Sequence, residues 1–165
     1  MTGFTIRSFG WSDVPAITAI YRHAVENSVA TFDTEPPGET FMAEKFGRIA
    51  ELGHPLIVAD REGEAIGYAY ASTYRPRPAY RFTCEDSVYI APEHQGHGIG
   101  TALLGRLIEA SQAHGFRQMV AVITAERANS IRLHEKYGFA MIGRHPALGF
   151  KFDRWLDIVH MQRAL

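Results

Sequence analysis

Three features of the sequence predict a single α/β domain built on a mixed β-sheet. Runs with a strand's period of two alternate along the chain with runs of helical period. Near the centre, residues 87–113 read as strand, glycine-spaced loop and helix in immediate succession. No linker divides the 165 residues, so 1–165 are taken as one domain, long enough to bury a real core.

The elements follow in order. Residues 4–9 (F-T-I-R-S-F) alternate apolar and polar side chains, as a half-buried strand does. Ser12 or Asp13 then caps a helix with Pro15 in its first turn, and Val14, Ile17, Ile20, Ala24 and Val25 mark its buried stripe. Residues 29–38 form a loop holding Phe32, two acids and two prolines. Thr40 is expected to cap a second helix that runs to about Glu51 and breaks at Gly53-His54-Pro55. Residues 56–59 and 65–72 read as a hairpin across Arg61-Glu62-Gly63. Residues 74–82 (Y-R-P-R-P-A-Y-R-F) form a proline-broken loop with three arginines. Val88, Tyr89 and Ile90 make the central strand, ended by Ala91-Pro92. Leu103, Leu104, Leu107 and Ile108 mark the helix after it. Residues 119–124 are an interior strand, and 129–137 a short helix closed by Gly138 in a left-handed cap. Strands beginning at Phe139 and spanning 155–161 complete the chain, with Phe150, Phe152 and Trp155 expected in the core.

Composition narrows the function. A net charge of −1 makes no case for nucleic-acid binding or attraction to a membrane surface. No stretch approaches the ~20 apolar residues of a membrane span, and the first residues lack a secretory pattern. The one cysteine, Cys84, permits no intrachain disulfide, which fits a reducing, cytoplasmic setting.

The central loop carries the chemistry. Small residues that feed straight into a helix aim unpaired backbone N–H groups at one spot, and the helix dipole adds positive charge there. A phosphate or pyrophosphate suits such a place. The P-loop pattern fails, because no Lys-Ser or Lys-Thr follows the last glycine. The dinucleotide pattern fails too, because its sixth position, counted from Gly96, is Thr101. What remains is Gln95-x-x-Gly98-x-Gly100 just after a strand; a glycine-rich turn that only shapes the chain is the plainer reading.

That motif resembles the signature of the GNAT superfamily of acyl-CoA-dependent N-acyltransferases. Ser130-Ile131-x-Leu133-His134-Glu135-x-x-Gly138-Phe139 resembles a second segment of the same family. Thr83-x-Glu85-x-Ser87-Val88-Tyr89 and Gly149-x-Lys151-Phe152-x-Arg154-Trp155-x-Asp157 are similar to the subset acting on phosphinothricin and methionine sulfoximine. With Tyr21, Phe32, Glu35-Pro36 and Arg75-Pro76, the resemblance covers nearly the whole chain. It implies helices on both faces of the sheet and central strands that splay apart to hold acetyl-CoA. In that frame Gln95, Gly96, His97, Gly98, Ile99, Gly100 and Thr101 hold the pyrophosphate, and Val88, Tyr89 and Ile90 pair with the pantetheine arm. The family usually has Asn three residues before Ser130. Here that residue is Arg127, so Asn129 substitutes, or Arg127 meets a phosphate, or the contact is missing.

The resemblance selects Glu85 as general base and His134 as the acid for the leaving thiolate. The chemistry suits both. A protonated amine must lose a proton before it attacks a thioester, and an imidazole can donate a proton near neutral pH. Neighbours on a strand face opposite sides, so only one of Glu85 and Asp86 is expected in the pocket. A backbone N–H of Tyr89 or Ile90 is a plausible oxyanion donor. Carboxylate recognition calls for a cation, for which Arg75, Arg77, Arg81 and Lys151 are candidates, with Phe32 and Tyr80 lining the apolar part. The resemblance also implies a homodimer in which the Lys151 segment reaches the neighbouring pocket. His94 and His97 lack a nearby third ligand, so no metal is expected. The reading is therefore direct acetyl transfer to a small amino-acid-like amine. Its rivals are transfer to a protein N-terminus or a polyamine, and a silent CoA-binding domain.

Overall fold

The computed structural model describes residues 3–165; Met1 and Thr2, included in the predicted domain, lie outside the described residues. Seven strands form one sheet: β1 (Thr5–Ser8), β2 (Leu56–Arg61), β3 (Glu64–Thr73), β4 (Thr83–Ile90), β5 (Gln118–Thr124), β6 (Ala140–Lys151) and β7 (Arg154–Ala164). Their spatial order is β1-β2-β3-β4-β5-β7-β6, and only β4 and β5 run parallel. Among the described residues four α-helices lie between them: α1 (Val14–Asn27), α2 (Glu39–Glu51), α3 (Ile99–His114) and α4 (Ala128–Lys136).

The sheet separates two cores. On one face Ile17, Ile20 and Val25 of α1 and Met42, Phe46 and Ile49 of α2 pack on Val58, Tyr68 and Tyr70. On the other, Leu103, Leu104, Leu107 and Ile108 of α3 cover Ala69, Ala71, Cys84, Met119 and Ala121, with Ile131 and Leu133 of α4 at the edge. The strand period of two sends alternate residues to the two cores. α4 is tied to α3 by Tyr137, whose hydroxyl donates to the Thr101 carbonyl at 2.7 Å. Gly105 makes room for that ring, since a Cβ there would stand 2.7 Å from the phenol oxygen.

One feature of the pairing shapes the site. β4 and β5 are joined only through Thr83–Gln118, Cys84–Met119 and Glu85–Val120. Beyond Glu85 the two strands diverge, while β4 stays paired with β3 up to Ile90. The predicted splay is present, and Glu85 stands at its apex.

Several local expectations are corrected. Thr40 does not cap α2; the helix starts at Glu39, and Met42 N–H already bonds the Gly38 carbonyl. Asp13 occupies the N-cap of α1, yet its carboxylate turns back to the Gly10 N–H and the Arg7 guanidinium, each at 2.8 Å. The strand expected to begin at Phe139 starts at Ala140 and runs to Lys151, through an irregular stretch between His145 and Gly149 where Ala147 has a φ of 49°. Phe150, Phe152 and Trp155 are not core: they are 53%, 49% and 67% exposed. The cause is topological, since β6 is an edge strand and these side chains stand on the open end of the β6–β7 hairpin.

Candidate active site

Where β4 and β5 part, a cavity of ≈ 260 Å³ opens between them, walled by Glu85, Asp86, Val88 and Tyr89 of β4, Val122, Ile123 and Thr124 of β5, and His134 of α4. Its roof is the loop after α1, through Ala30, Thr31 and Phe32. A cleft of ≈ 670 Å³ shares Ala30, Val88, Tyr89, Arg127, Ser130 and His134 with this cavity and runs on along Ile90 to the glycine loop.

The glycine loop has the geometry of an anion cradle. Gly96 and Gly98 adopt φ of 79° and 80°, in the left-handed region that glycine enters without steric cost. A Cβ at either would meet nothing within 4 Å, so their surfaces are open. The first ladder bond at the start of α3 runs from Ala102 N–H to the Gly98 carbonyl. The N–H groups of Ile99, Gly100 and Thr101 precede it and are left for a ligand. The β4 edge that faced β5 also carries unpaired backbone groups beyond Asp86. These residues fit a pyrophosphate with an extended amide-bearing arm. Of the predicted cofactor residues, Val88, Tyr89, Ile90, Gln95, Gly96, Gly98, Ile99, Gly100, Thr101 and Asn129 line the cleft. His97 does not; its Nδ1 lies 3.3 Å from the His94 carbonyl. Arg127 and Asn129 both reach the cleft wall.

Glu85 and Asp86 both line the cavity, against the expectation of one. Strand alternation still holds. Asp86 shares the face of Cys84 and α4, while Glu85 points the other way, but a gap between separated strands is reached from both faces. Burial pushes the Glu85 carboxyl above its ordinary range, the Asp86 charge adds to this, and Arg75 opposes it. His134 is buried; its Nε2 lies 2.9 Å from Asp86 Oδ2 and its Nδ1 2.7 Å from the Ser130 carbonyl. Burial lowers the imidazole pKa, but the bonds to Asp86 and Ser130 outweigh burial and the Arg127 charge, leaving it raised. Asp86 was not foreseen; the adjacent Glu-Asp pair was the only signal for it. Cys84 is fully buried, and desolvation pushes its thiol up to about 12, which removes the thiolate a nucleophile needs.

The predicted substrate residues divide. Phe32 walls the cavity, its ring seated over Gly149 of β6. Arg75, Tyr80 and Arg81 are outside the wall: Arg75 lies over the Tyr74 ring at 5.2 Å, Arg81 over Phe82 at 4.4 Å, and Tyr80 beside Tyr74. Lys151 differs most from expectation. It is buried, and its ammonium donates to the Ser28 and Thr31 carbonyls at 2.7 and 2.8 Å, so it anchors the roof loop instead of facing the cavity. Thr124 Oγ1 donates to the Val29 carbonyl at 2.6 Å, and Tyr21 bonds Thr31 and Asp33, so three elements hold this loop. Arg127 is the one guanidinium on the cavity wall among the described residues.

Residues 17–139 match the family model described as Acetyltransferase (GNAT) family. The chain belongs to the GNAT acetyltransferase family. Curated relatives of this GNAT enzyme match nearly the whole of the chain. It is 46% identical to the phosphinothricin N-acetyltransferase of Alcaligenes faecalis over 162 residues, 98% of this chain and 82% of that protein. It is 42% identical to the L-methionine sulfoximine/L-methionine sulfone acetyltransferase of Pseudomonas aeruginosa, over 98% and 94% of the two chains. Among solved structures, a GNAT superfamily phosphinothricin acetyltransferase from Sinorhizobium meliloti in complex with AcCoA superposes with a TM-score of 0.96 at 50% identity, covering 100% of this chain and 89% of that one. A ribosomal-protein-alanine N-acetyltransferase from Brucella melitensis gives a TM-score of 0.96 at 38% identity, covering 98% and 99%.

Proposed function

We propose that this GNAT enzyme transfers the acetyl group of acetyl-CoA directly to the amino group of a small amino acid of the phosphinothricin, methionine sulfoximine or methionine sulfone type. The observation that carries the reading is the convergence of Glu85 and the Asp86–His134 pair on a ≈ 260 Å³ cavity that opens into the glycine-loop cleft. That space suits a compact acceptor better than a polyamine or a chain terminus.

Acetyl-CoA supplies the activated acetyl thioester. Glu85, its affinity for protons raised by burial, accepts a proton from the substrate ammonium. The freed amine forms the N–C bond as the C–S bond breaks. His134 gives a proton to the departing sulfur. Ala91 N–H bonds the Ile66 carbonyl of β3, so of the two candidates it is Ile90 that turns its N–H toward the gap and serves as donor for the developing oxyanion. The net products are the amide, the free thiol and one proton. Phe32 walls the apolar side of the acceptor. Arg75 supplies positive charge beside Glu85, and Arg81 and Tyr80 stand farther along the same loop. Arg127 and Asn129 together take the coenzyme contact that the family usually gives to an asparagine.

We further propose that a second copy covers the apolar face of the β6–β7 hairpin, where Ile142, Leu148, Phe150 and Trp155 are exposed, making a homodimer that works in the cytoplasm. Sedimentation of the wild type and Trp155→Glu tests this: a dimer that dissociates in the variant supports it, and a wild-type monomer refutes it.

The relation to the ribosomal-protein-alanine enzyme favours one second reading, a protein N-terminus as acceptor. Thiol release from acetyl-CoA decides between them, with phosphinothricin, methionine sulfoximine, methionine sulfone, common amino acids, polyamines and an alanine-starting peptide as acceptors. Turnover of the small amino acids, lost in Glu85→Gln, is the expected result. Turnover of the peptide alone refutes the small-substrate reading, and acetyl-CoA binding without turnover of any amine refutes catalysis.

A further inference from the structure

His134 is held by two groups of a kind that constrains its protons. At Nδ1 stands the Ser130 backbone carbonyl, which only accepts. At Nε2 stands the Asp86 carboxylate, which as an ion also only accepts. A neutral imidazole has one N–H and cannot donate to both. With Nδ1–H committed to Ser130, a neutral ring would face Asp86 with a bare lone pair at 2.9 Å. Both side chains are about 95% buried, so water does not relieve that repulsion.

We propose that Asp86 is a positioning residue that keeps His134 doubly protonated, so that the ring enters the reaction as an imidazolium with its second proton on Nε2. The surroundings divide for and against. From α4 itself, the Ser130 carbonyl favours the cation; Arg127, at the N-terminal end of that helix, opposes it. From β4, Asp86 favours it, and Glu85 adds negative charge from the opposite face. Phe139, whose ring stands edge-on at 4.9 Å, brings no charge. Cys84 on β4 is a neutral thiol.

The arrangement deepens the acid step and rests on the reading of His134 as proton donor to the sulfur. Nδ1–H is fixed to Ser130, so the transferable proton is the one shared with Asp86. When sulfur takes it, an S–H bond forms, the Nε2–H bond breaks, and the ring is left neutral. Nε2 then faces a carboxylate, which drives uptake of a replacement proton from solvent. Asp86 accepts the hydrogen bond of that proton until it leaves; it gives up no proton itself and bonds neither the sulfur nor the amine in this scheme.

Asp86→Asn tests it. The side-chain shape is kept, the charge is lost, and the amide N–H can now donate to a neutral Nε2. The ring nitrogen chemical shifts of His134 are followed against pH in the full-length protein, with His134→Gln assigning the signals. The wild type is expected to show two protonated nitrogens at neutral pH, and Asp86→Asn to lower the midpoint by roughly one pH unit or more, a tenfold change in proton affinity. The high-pH limb of kcat for acetyl transfer should move down with it, while KM for acetyl-CoA stays within about twofold, a difference worth well under 1 kcal/mol. A singly protonated wild-type ring at pH 7 overturns the inference without any variant, as does an unchanged midpoint in Asp86→Asn. A midpoint that moves while the rate profile does not supports the pair and refutes His134 as the donor to sulfur, so the two failures are distinguishable.

Discussion

Gly149→Ala isolates the acceptor wall from the rest of the enzyme. Gly149 pairs with Leu156 across the β6–β7 ladder, and the Phe32 ring lies directly over it. A Cβ on Gly149 would stand 2.5 Å from Phe32 Cζ and 2.7 Å from Cδ2. Carbon atoms rest at about 3.5–4.0 Å, so the ring must withdraw by at least about 1 Å. The backbone beneath it cannot follow easily, because Lys151, Thr124 and Tyr21 fasten the same loop. The ring therefore turns about its own side-chain bonds, and the cavity wall changes shape. Overpacking of this kind costs about 1–3 kcal/mol, less where a side chain can yield, and Phe32 is 37% exposed. A loss of about 1.4 kcal/mol in acceptor binding is a tenfold rise in KM for the amino acid. Steady-state thiol release should show that rise with kcat and the KM for acetyl-CoA close to wild type. Thermal unfolding should shift little. Adding Phe32→Ala to Gly149→Ala removes the clashing partner, so the two changes should be strongly non-additive. Unchanged acceptor kinetics, or equal losses toward both substrates, would refute the reasoning.

Further outcomes follow from the same geometry. Glu85 must be ionised to accept a proton, and burial raises its pKa; the low-pH limb of kcat/KM should therefore rise with pH at a midpoint above the ordinary ~4.3 of glutamate, and vanish in Glu85→Gln. Gly98→Ala places a side chain at a φ of 80°, a cost of about 1 kcal/mol, so calorimetry should report acetyl-CoA bound several-fold more weakly with little change in the acceptor KM. Lys151→Met leaves the Ser28 and Thr31 carbonyls without their donor; these are part-buried hydrogen bonds to a charged group, so denaturant unfolding should show a loss of about 1–3 kcal/mol in all. The His134–Asp86 pair also links stability to pH. A histidine whose folded pKa is raised stabilises the fold fully below its unfolded value of about 6.5, and that stabilisation fades as pH rises through the folded value; Asp86→Asn should flatten this dependence in pH-resolved unfolding curves.

Much of this protein was legible in local pattern. The alternation in residues 4–9, the leucines of α3 and the apolar run of β5 identify their elements because helix and strand periods are properties of neighbouring residues. The glycines at 96 and 98 mark a left-handed loop, and Gly138 a left-handed helix end, because no other residue enters that region so cheaply. Phe32, Val88, Tyr89 and the loop onward from Gln95 fall on the cavity and cleft where they were expected, apart from His97.

What local pattern cannot specify is which distant groups meet. Phe150 and Trp155 look like core residues in any sequence window, but exposure depends on strand order, and strand order leaves β6 at an edge. Lys151 reads as a free cation until the fold carries the Ser28 and Thr31 carbonyls to its ammonium from more than a hundred residues away. Asp86 and His134 are 48 positions apart, and only the packing of α4 against the separated β4 makes them a pair. By itself the sequence determined most of the elements, the left-handed glycine loop before α3 and the family signature, all of which are short-range encodings. The tertiary structure decided the partners, the burial and hence the proton affinities, because desolvation and Coulomb energy depend on distances through space, not along the chain.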